Sequence, residues 1–133
     1  VRVIVAGGRD KHLSSNNKTM LLEFVTKGII TELVCGMASG IDLEAYSLLK
    51  DYVSIKEFPA NWYDLDTRPC KIKVNSRGKR YNALAGFNRN KLMAEYADGV
   101  ILFDGGNGTS NMYQLSLEYD LNILYNISDG GQY

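Results

Sequence analysis

The 133-residue chain has little of several things. Its two cysteines, Cys35 and Cys70, are too few for a disulfide framework or a four-ligand zinc site. No metal or other cofactor is expected, and a reduced, cytoplasmic setting is the simplest reading. The single histidine, His12, has no spaced partner and reads as a surface residue. No apolar run approaches the roughly 18 residues of a membrane span, so no membrane contact is expected. Val1 to Ala6 reads directly as a strand, and no leader peptide is expected there. Charge of one sign is missing too: fifteen basic residues face fifteen acidic ones. A protein that coats DNA or an anionic membrane needs surplus Lys and Arg. A nucleic-acid partner is therefore not expected, although neutrality leaves room for a small positive pocket.

What the chain does have is glycine, thirteen residues of it against two prolines. That ratio points to tight turns between regular elements and not to a disordered linker. The length is close to that of one domain, so residues 1–133 are read as a single unit.

Strand and helix patterns alternate. Val1 to Ala6 is a buried strand closed by Gly7-Gly8. Lys18 to Lys27 has helical spacing. Leu33 to Cys35 is a second strand, and Ser39 looks like the cap of a helix carrying Ile41, Ala45, Leu48 and Leu49 on one face. Val53 to Phe58 is a third strand, stopped by Pro59. Asn88 to Ala97 is helical, Gly99 to Phe103 a strand, Gly108 or Thr109 to Tyr119 a helix, and Leu121 to Tyr125 a last strand. The fold class is α/β: a Rossmann-like three-layer sandwich, its mainly parallel sheet of about five strands flanked by helices on both faces. A polar, basic excursion at about 63–82 interrupts the rhythm, and Lys71 to Val74 could be one arm of a hairpin over Ser76-Arg77-Gly78. It is either a solvated excursion or a basic rim over a site.

In such sheets ligands bind beyond the carboxyl ends of the strands. Three glycine clusters follow strands: Gly7-Gly8-Arg9-Asp10, Gly36-Met37-Ala38-Ser39-Gly40-Ile41-Asp42 and Asp104-Gly105-Gly106-Asn107-Gly108-Thr109. A helix N-terminus has unpaired N–H groups, and glycine lets an anion approach them. The clusters therefore suggest a phosphate-bearing ligand, with the Thr109 hydroxyl as a further donor. No Walker loop and no G-x-G-x-x-G fingerprint is present, which disfavours a standard nucleotide triphosphatase or dehydrogenase.

These clusters, with Phe58-Pro59-Ala60-Asn61-Trp62 and Ala85-Gly86-Phe87-Asn88-Arg89-Asn90, resemble the SLOG superfamily. That Rossmann-like group contains the LOG-type phosphoribohydrolases and the DNA-processing protein A fold. The small bacterial and phage branch related to YspA is the nearest match. The resemblance implies a pocket for a nucleotide-derived ligand. It also implies an Arg-Lys pair and a P-G-G-x-G-T-x-x-E segment in the enzymes of the group. Here Arg89 stands at the arginine position, Asn90 replaces the lysine, Asp104 the proline and Met112 the catalytic glutamate. A thioether cannot move a proton, so the LOG-type reaction is not expected to be kept as such.

The expected ligand-binding residues are Gly7, Gly8, Arg9, Gly36, Ala38, Ser39, Asp42, Trp62, Arg89, Asn90, Gly105, Gly106, Asn107, Gly108 and Thr109. Arg89 is read either as a structural cation that holds the last strand turns together or as a phosphate grip whose removal would leave the fold intact. Asn90 is read as a ribose contact or a helix cap. Trp62 is read as a stacking surface or as core. Asp42 is either a helix-dipole partner or a ribose or catalytic carboxylate.

The function expected first is binding of an ADP-ribose-like compound or a nucleoside monophosphate, as a sensor or a sequestering protein. By family analogy this could be a phage anti-defence sponge in the host cytoplasm. One alternative is a nucleotide N-glycosidase using Asp42 or Asp104. Another is a single-stranded DNA binder, which rests on the basic stretch Arg68 to Arg80. The many tyrosines suggest a homo-oligomer.

Overall fold

The short apolar runs become strands because each is bounded by turn residues before a helix could complete three turns. The computed structural model describes residues 1–127. Its elements, in order, are β1 (Arg2–Ala6), α1 (Ser15–Thr26), β2 (Glu32–Cys35), α2 (Ile41–Leu49) and β3 (Ser54–Glu57). They continue with β4 (Ile72–Val74), β5 (Arg80–Asn82), α3 (Ala85–Tyr96), β6 (Gly99–Leu102), α4 (Asn107–Glu118) and β7 (Asn122–Asn126). Five strands form one parallel sheet in the order β3-β2-β1-β6-β7. β4 and β5 stand apart as an antiparallel hairpin. The fold is the Rossmann-like α/β sandwich that the alternating pattern predicts.

Period-two alternation sets the layers. Val3, Val5, Leu33, Cys35, Ile101 and Phe103 point to one face, where Leu21 of α1 and Ile41, Ala45 and Leu49 of α2 cover them. Ile4, Val34, Val100 and Leu102 point to the other, against Met93 and Ala94 of α3 and Met112 and Leu115 of α4. Burial of each large side chain contributes about 1.5–3 kcal/mol. No helix among the described residues is long and apolar enough to cross a membrane.

Three helix starts differ from expectation. α1 begins three residues early, because Ser14 and Asn17 form a reciprocal capping box. α3 begins at Ala85, with no side-chain cap on Leu84 to announce it. Ser39 does not cap α2. Gly40 occupies that position, and the Ser39 hydroxyl donates instead to the Arg9 carbonyl at 3.5 Å.

Gly40 has φ of 80°, and a Cβ there would overlap the carbonyl oxygens of Gly8 and Arg9. The loop after β2 thus reaches the loop after β1 only with glycine at this position. Gly40→Ala is expected to lower unfolding free energy by more than about 1 kcal/mol, since both strain and overlap oppose it. Urea denaturation measures this; a variant as stable as the parent would reject the account.

Candidate functional site

The chain winds outward from β1 through β2 to β3, then returns to place β6 and β7 on the other side. The order reverses between β1 and β6, so the loops leaving these two strands diverge and open a crevice at their carboxyl ends. The cavity there holds about 410 Å³. Gly7, Gly8 and Arg9 line it from the loop after β1, and Ala38 and Asp42 from the β2–α2 connection. Trp62 comes from the loop after β3, and Arg89 and Asn90 from α3. Gly106, Asn107, Gly108 and Thr109 line it at the start of α4. Gly36 and Ser39 lie instead in an adjoining cleft of about 240 Å³, which shares Arg9, Ala38, Trp62 and Arg89 with the first.

Gly105 lines neither space. A Cβ there would strike the Thr109 hydroxyl and come 2.8 Å from the Gly8 nitrogen. The Gly8 N–H donates to the Asp104 carbonyl at 2.8 Å. Gly8 and Gly105 therefore hold the two diverging loops together behind the crevice, and the Gly8 N–H is not open to a ligand.

The start of α4 is different. Gly106 is its N-cap, no side chain caps it, and no acidic residue stands in its first turn. A Cβ on Gly106 or Gly108 would meet nothing within 4 Å, so packing does not require glycine at either position. The first N–H groups of a twelve-residue helix thus border open space, with the positive end of its dipole behind them.

Arg89 and Asn90 act mainly within the protein. The Arg89 guanidinium donates through Nη1 to the carbonyls of Gly36 and Phe58, and through Nε to the Asn90 side-chain oxygen at 2.9 Å. The Asn90 amide nitrogen donates to the Gly108 carbonyl at 3.1 Å and to Asn111 Oδ1 at 3.0 Å. Asn90 is a buried bridge from α3 to α4 and not a helix cap, because the early start of α3 puts it in the second turn. Truncating Arg89 would leave carbonyls at the ends of two strands without a donor, so it would not leave the fold untouched.

Asp42 is 7% exposed and sits close to Arg89 beside Gly36, where a Cβ would be 2.7 Å from Arg89 Nη1 and 2.9 Å from Asp42 Oδ2. Burial lowers the Arg89 pKa below its ordinary value, and Asp42 opposes that shift. Arg9 lies over the indole of Trp62, 5.0 Å from the ring centroid. Trp62 is thus neither core nor free.

The expected ligand-binding residues did not include Ala6, Ala83, Gly86, Phe87 and Met93, which also line the cavity. Gly86 and Phe87 were hidden by the unannounced start of α3. Met112 is buried at the crevice wall, as the missing glutamate position implied. Asp104 does not line the cavity; it is exposed and pairs with Lys11 at 3.4 Å. Among the described residues, no three His, Cys, Asp or Glu side chains are placed to hold a metal ion.

Comparison with solved structures shows what this architecture is. DNA processing protein A from Streptococcus pneumoniae superposes with a TM-score of 0.61 at 19% identity, over 92% of this chain and 48% of that one. DNA processing protein A from Helicobacter pylori, described for its single-stranded DNA binding mode, gives 0.60 at 15% identity over 92% and 63%. The chain shares the fold of these proteins. It spans about half the length of the first of these proteins and under two thirds of the second. No protein-family model and no curated protein matches the chain. The expectation that a nucleic-acid partner is unlikely is corrected here, because the Helicobacter pylori protein of the same fold binds single-stranded DNA. The physical fault lies in using net charge: it sums the whole surface, whereas a strand responds to the local field.

The Asp42 carboxyl is pushed up to about 6, chiefly by burial, against the pull of Arg89 and of the Ala38 and Gly7 N–H groups. The folded protein therefore holds this proton more tightly than the unfolded chain. The contribution to stability is full below pH about 4 and is lost as pH rises through about 6. Asp42→Asn is expected to flatten the stability profile across that window, because the variant has no proton to lose there. Denaturation at several pH values checks this, and a parental slope in the variant would refute it.

Proposed function

We propose that the crevice binds a phosphate-bearing nucleotide unit and that this unit belongs to single-stranded DNA. The observation that carries the reading is the uncapped, glycine-bordered start of α4, which lines the same cavity as Arg9. Phosphate suits both partners: the helix start offers N–H groups, and Arg9 offers a forked cation. Trp62, already under Arg9, presents an aromatic surface to a base. The single-stranded DNA described for the Helicobacter pylori neighbour supports the polymer over a free ligand. A second reading, a free ADP-ribose-like compound or nucleoside monophosphate, draws on the cavity of about 410 Å³, which has room for one nucleotide. Cleavage forms no part of the proposal, since Met112 stands where the enzymes of the group carry glutamate.

Gly108→Asp tests the site without disturbing the fold. Its side chain would enter open space, and an acid in the first helical turn is favourable for the helix. The variant is expected to keep or raise its Tm and to lose at least about tenfold in affinity for oligothymidylate. Fluorescence anisotropy at fixed salt reads the loss. Equal affinity in variant and parent would remove the crevice from the binding site, and competition by a nucleoside monophosphate at comparable concentration would favour the second reading.

A further inference from the structure

The hairpin at 72–82 is solvent-exposed but built as a regular element. Its base is fixed by Asn82, which is 1% exposed: its backbone N–H donates to the Trp62 carbonyl at 2.7 Å, and its side-chain oxygen accepts from the Lys71 and Leu84 N–H groups. Its tip is fixed by Asn75, whose side-chain oxygen accepts from the N–H groups of Arg77 and Lys79. The hairpin is thereby tied to the residue that stacks under Arg9.

Register pairs Lys73 with Tyr81, so these two side chains share one face. With Tyr63 and Asn75 they border a depression of about 490 Å³. Arg9 and Trp62 line this depression as well as the glycine crevice, so the two spaces meet at the Arg9–Trp62 stack. Lys79 lies 3.8 Å from the ring centroid of Tyr63. From residue 71 to residue 82 there are five basic side chains, Lys71, Lys73, Arg77, Lys79 and Arg80, and no acidic one. The charge balance of the whole chain hides this local excess.

We infer that the β4–β5 hairpin is the second contact of a single-stranded polynucleotide, which runs from the glycine crevice over the Arg9–Trp62 stack onto the Lys73–Tyr81 face. The inference rests on the proposed binding of DNA in the crevice and extends it. A free nucleotide fills one space and leaves the other unused, whereas a strand uses both. Interleaved aromatic rings and cations on one surface match a chain that alternates bases and phosphates. A duplex, whose bases are already stacked, has no use for the tyrosines. An acidic peptide would satisfy the lysines but not the rings.

The test compares three proteins in anisotropy titrations with labelled twenty-residue oligothymidylate over a range of salt: the parent, Lys73→Glu/Lys79→Glu and Gly108→Asp. Tyr81→Ala separates stacking from charge. The lysine variant is expected to lose about tenfold or more in affinity, and its salt slope should fall by roughly 0.7 for each lost phosphate contact. Tyr81→Ala is expected to weaken binding by about fivefold or more with an unchanged salt slope. Parental affinity and slope in both hairpin variants would overturn the inference while leaving the crevice reading intact. Loss in the hairpin variants with parental affinity in Gly108→Asp would overturn the crevice reading on which the inference rests. No binding by the parent would overturn both, and polyglutamate binding as tightly as the oligonucleotide would assign the hairpin to an acidic protein instead.

Discussion

Two adjacent side chains of α3 tie the ends of β2 and β3 to the start of α4 across the crevice. Arg89 donates to the carbonyls of Gly36 and Phe58, which lie just beyond β2 and β3. Asn90 accepts from Arg89 and donates to Gly108 and Asn111 of α4. The start of α4 therefore sits where it does because α3 ties it to the far side of the sheet. A buried guanidinium is costly unless its donors are satisfied and a counter-charge is near. Backbone carbonyls at the strand ends supply the first condition, and the carboxyl of Asp42 supplies the second. Asp42 is held in turn by N–H groups of the two loops it joins, at Gly7 and Ala38.

This network divides the glycine-rich loops into two kinds. Gly8, Gly40 and Gly105 allow backbone to meet backbone, and a side chain at any of them would strike a neighbouring loop. Gly106 and Gly108 meet nothing and border the cavity. The same residue type thus closes the back of the crevice and opens its front. Arg9 lies over Trp62 and lines the cavity, while Arg89 bonds to the interior carbonyls.

Much of this was legible in the chain. Short runs of three to six residues marked all five strands of the main sheet, and three of them are ended directly by glycine or proline. Their alternation with helical spacing required a parallel sheet, and a parallel sheet puts its ligand crevice at the strand ends. The clusters at 7–10, 36–42 and 104–109 were located by that rule alone. The starts of α1 and α3 were less visible, since one depends on a side-chain exchange between Ser14 and Asn17 and the other has no cap. For Arg89 the chain left a structural cation and a phosphate grip both open, and the bridge that Asn90 makes to α4 was not visible. An arginine that meets a phosphate and an arginine that meets two carbonyls have the same spelling.

The charge balance shows the same limit from another side. Fifteen acids and fifteen bases sum to zero wherever they stand, so composition could exclude only a uniformly basic surface. By itself the sequence determined the α/β architecture and the edge of the sheet at which the glycine-rich loops gather. These follow from local periodicity and from steric rules that act within a few residues. Tertiary structure decided which N–H groups stay open, which cations are committed to the interior, and that a basic hairpin stands beside the crevice. Those outcomes depend on distances between residues far apart in the chain, as between Arg89 and Gly36 or Asn82 and Trp62, and no local rule contains them.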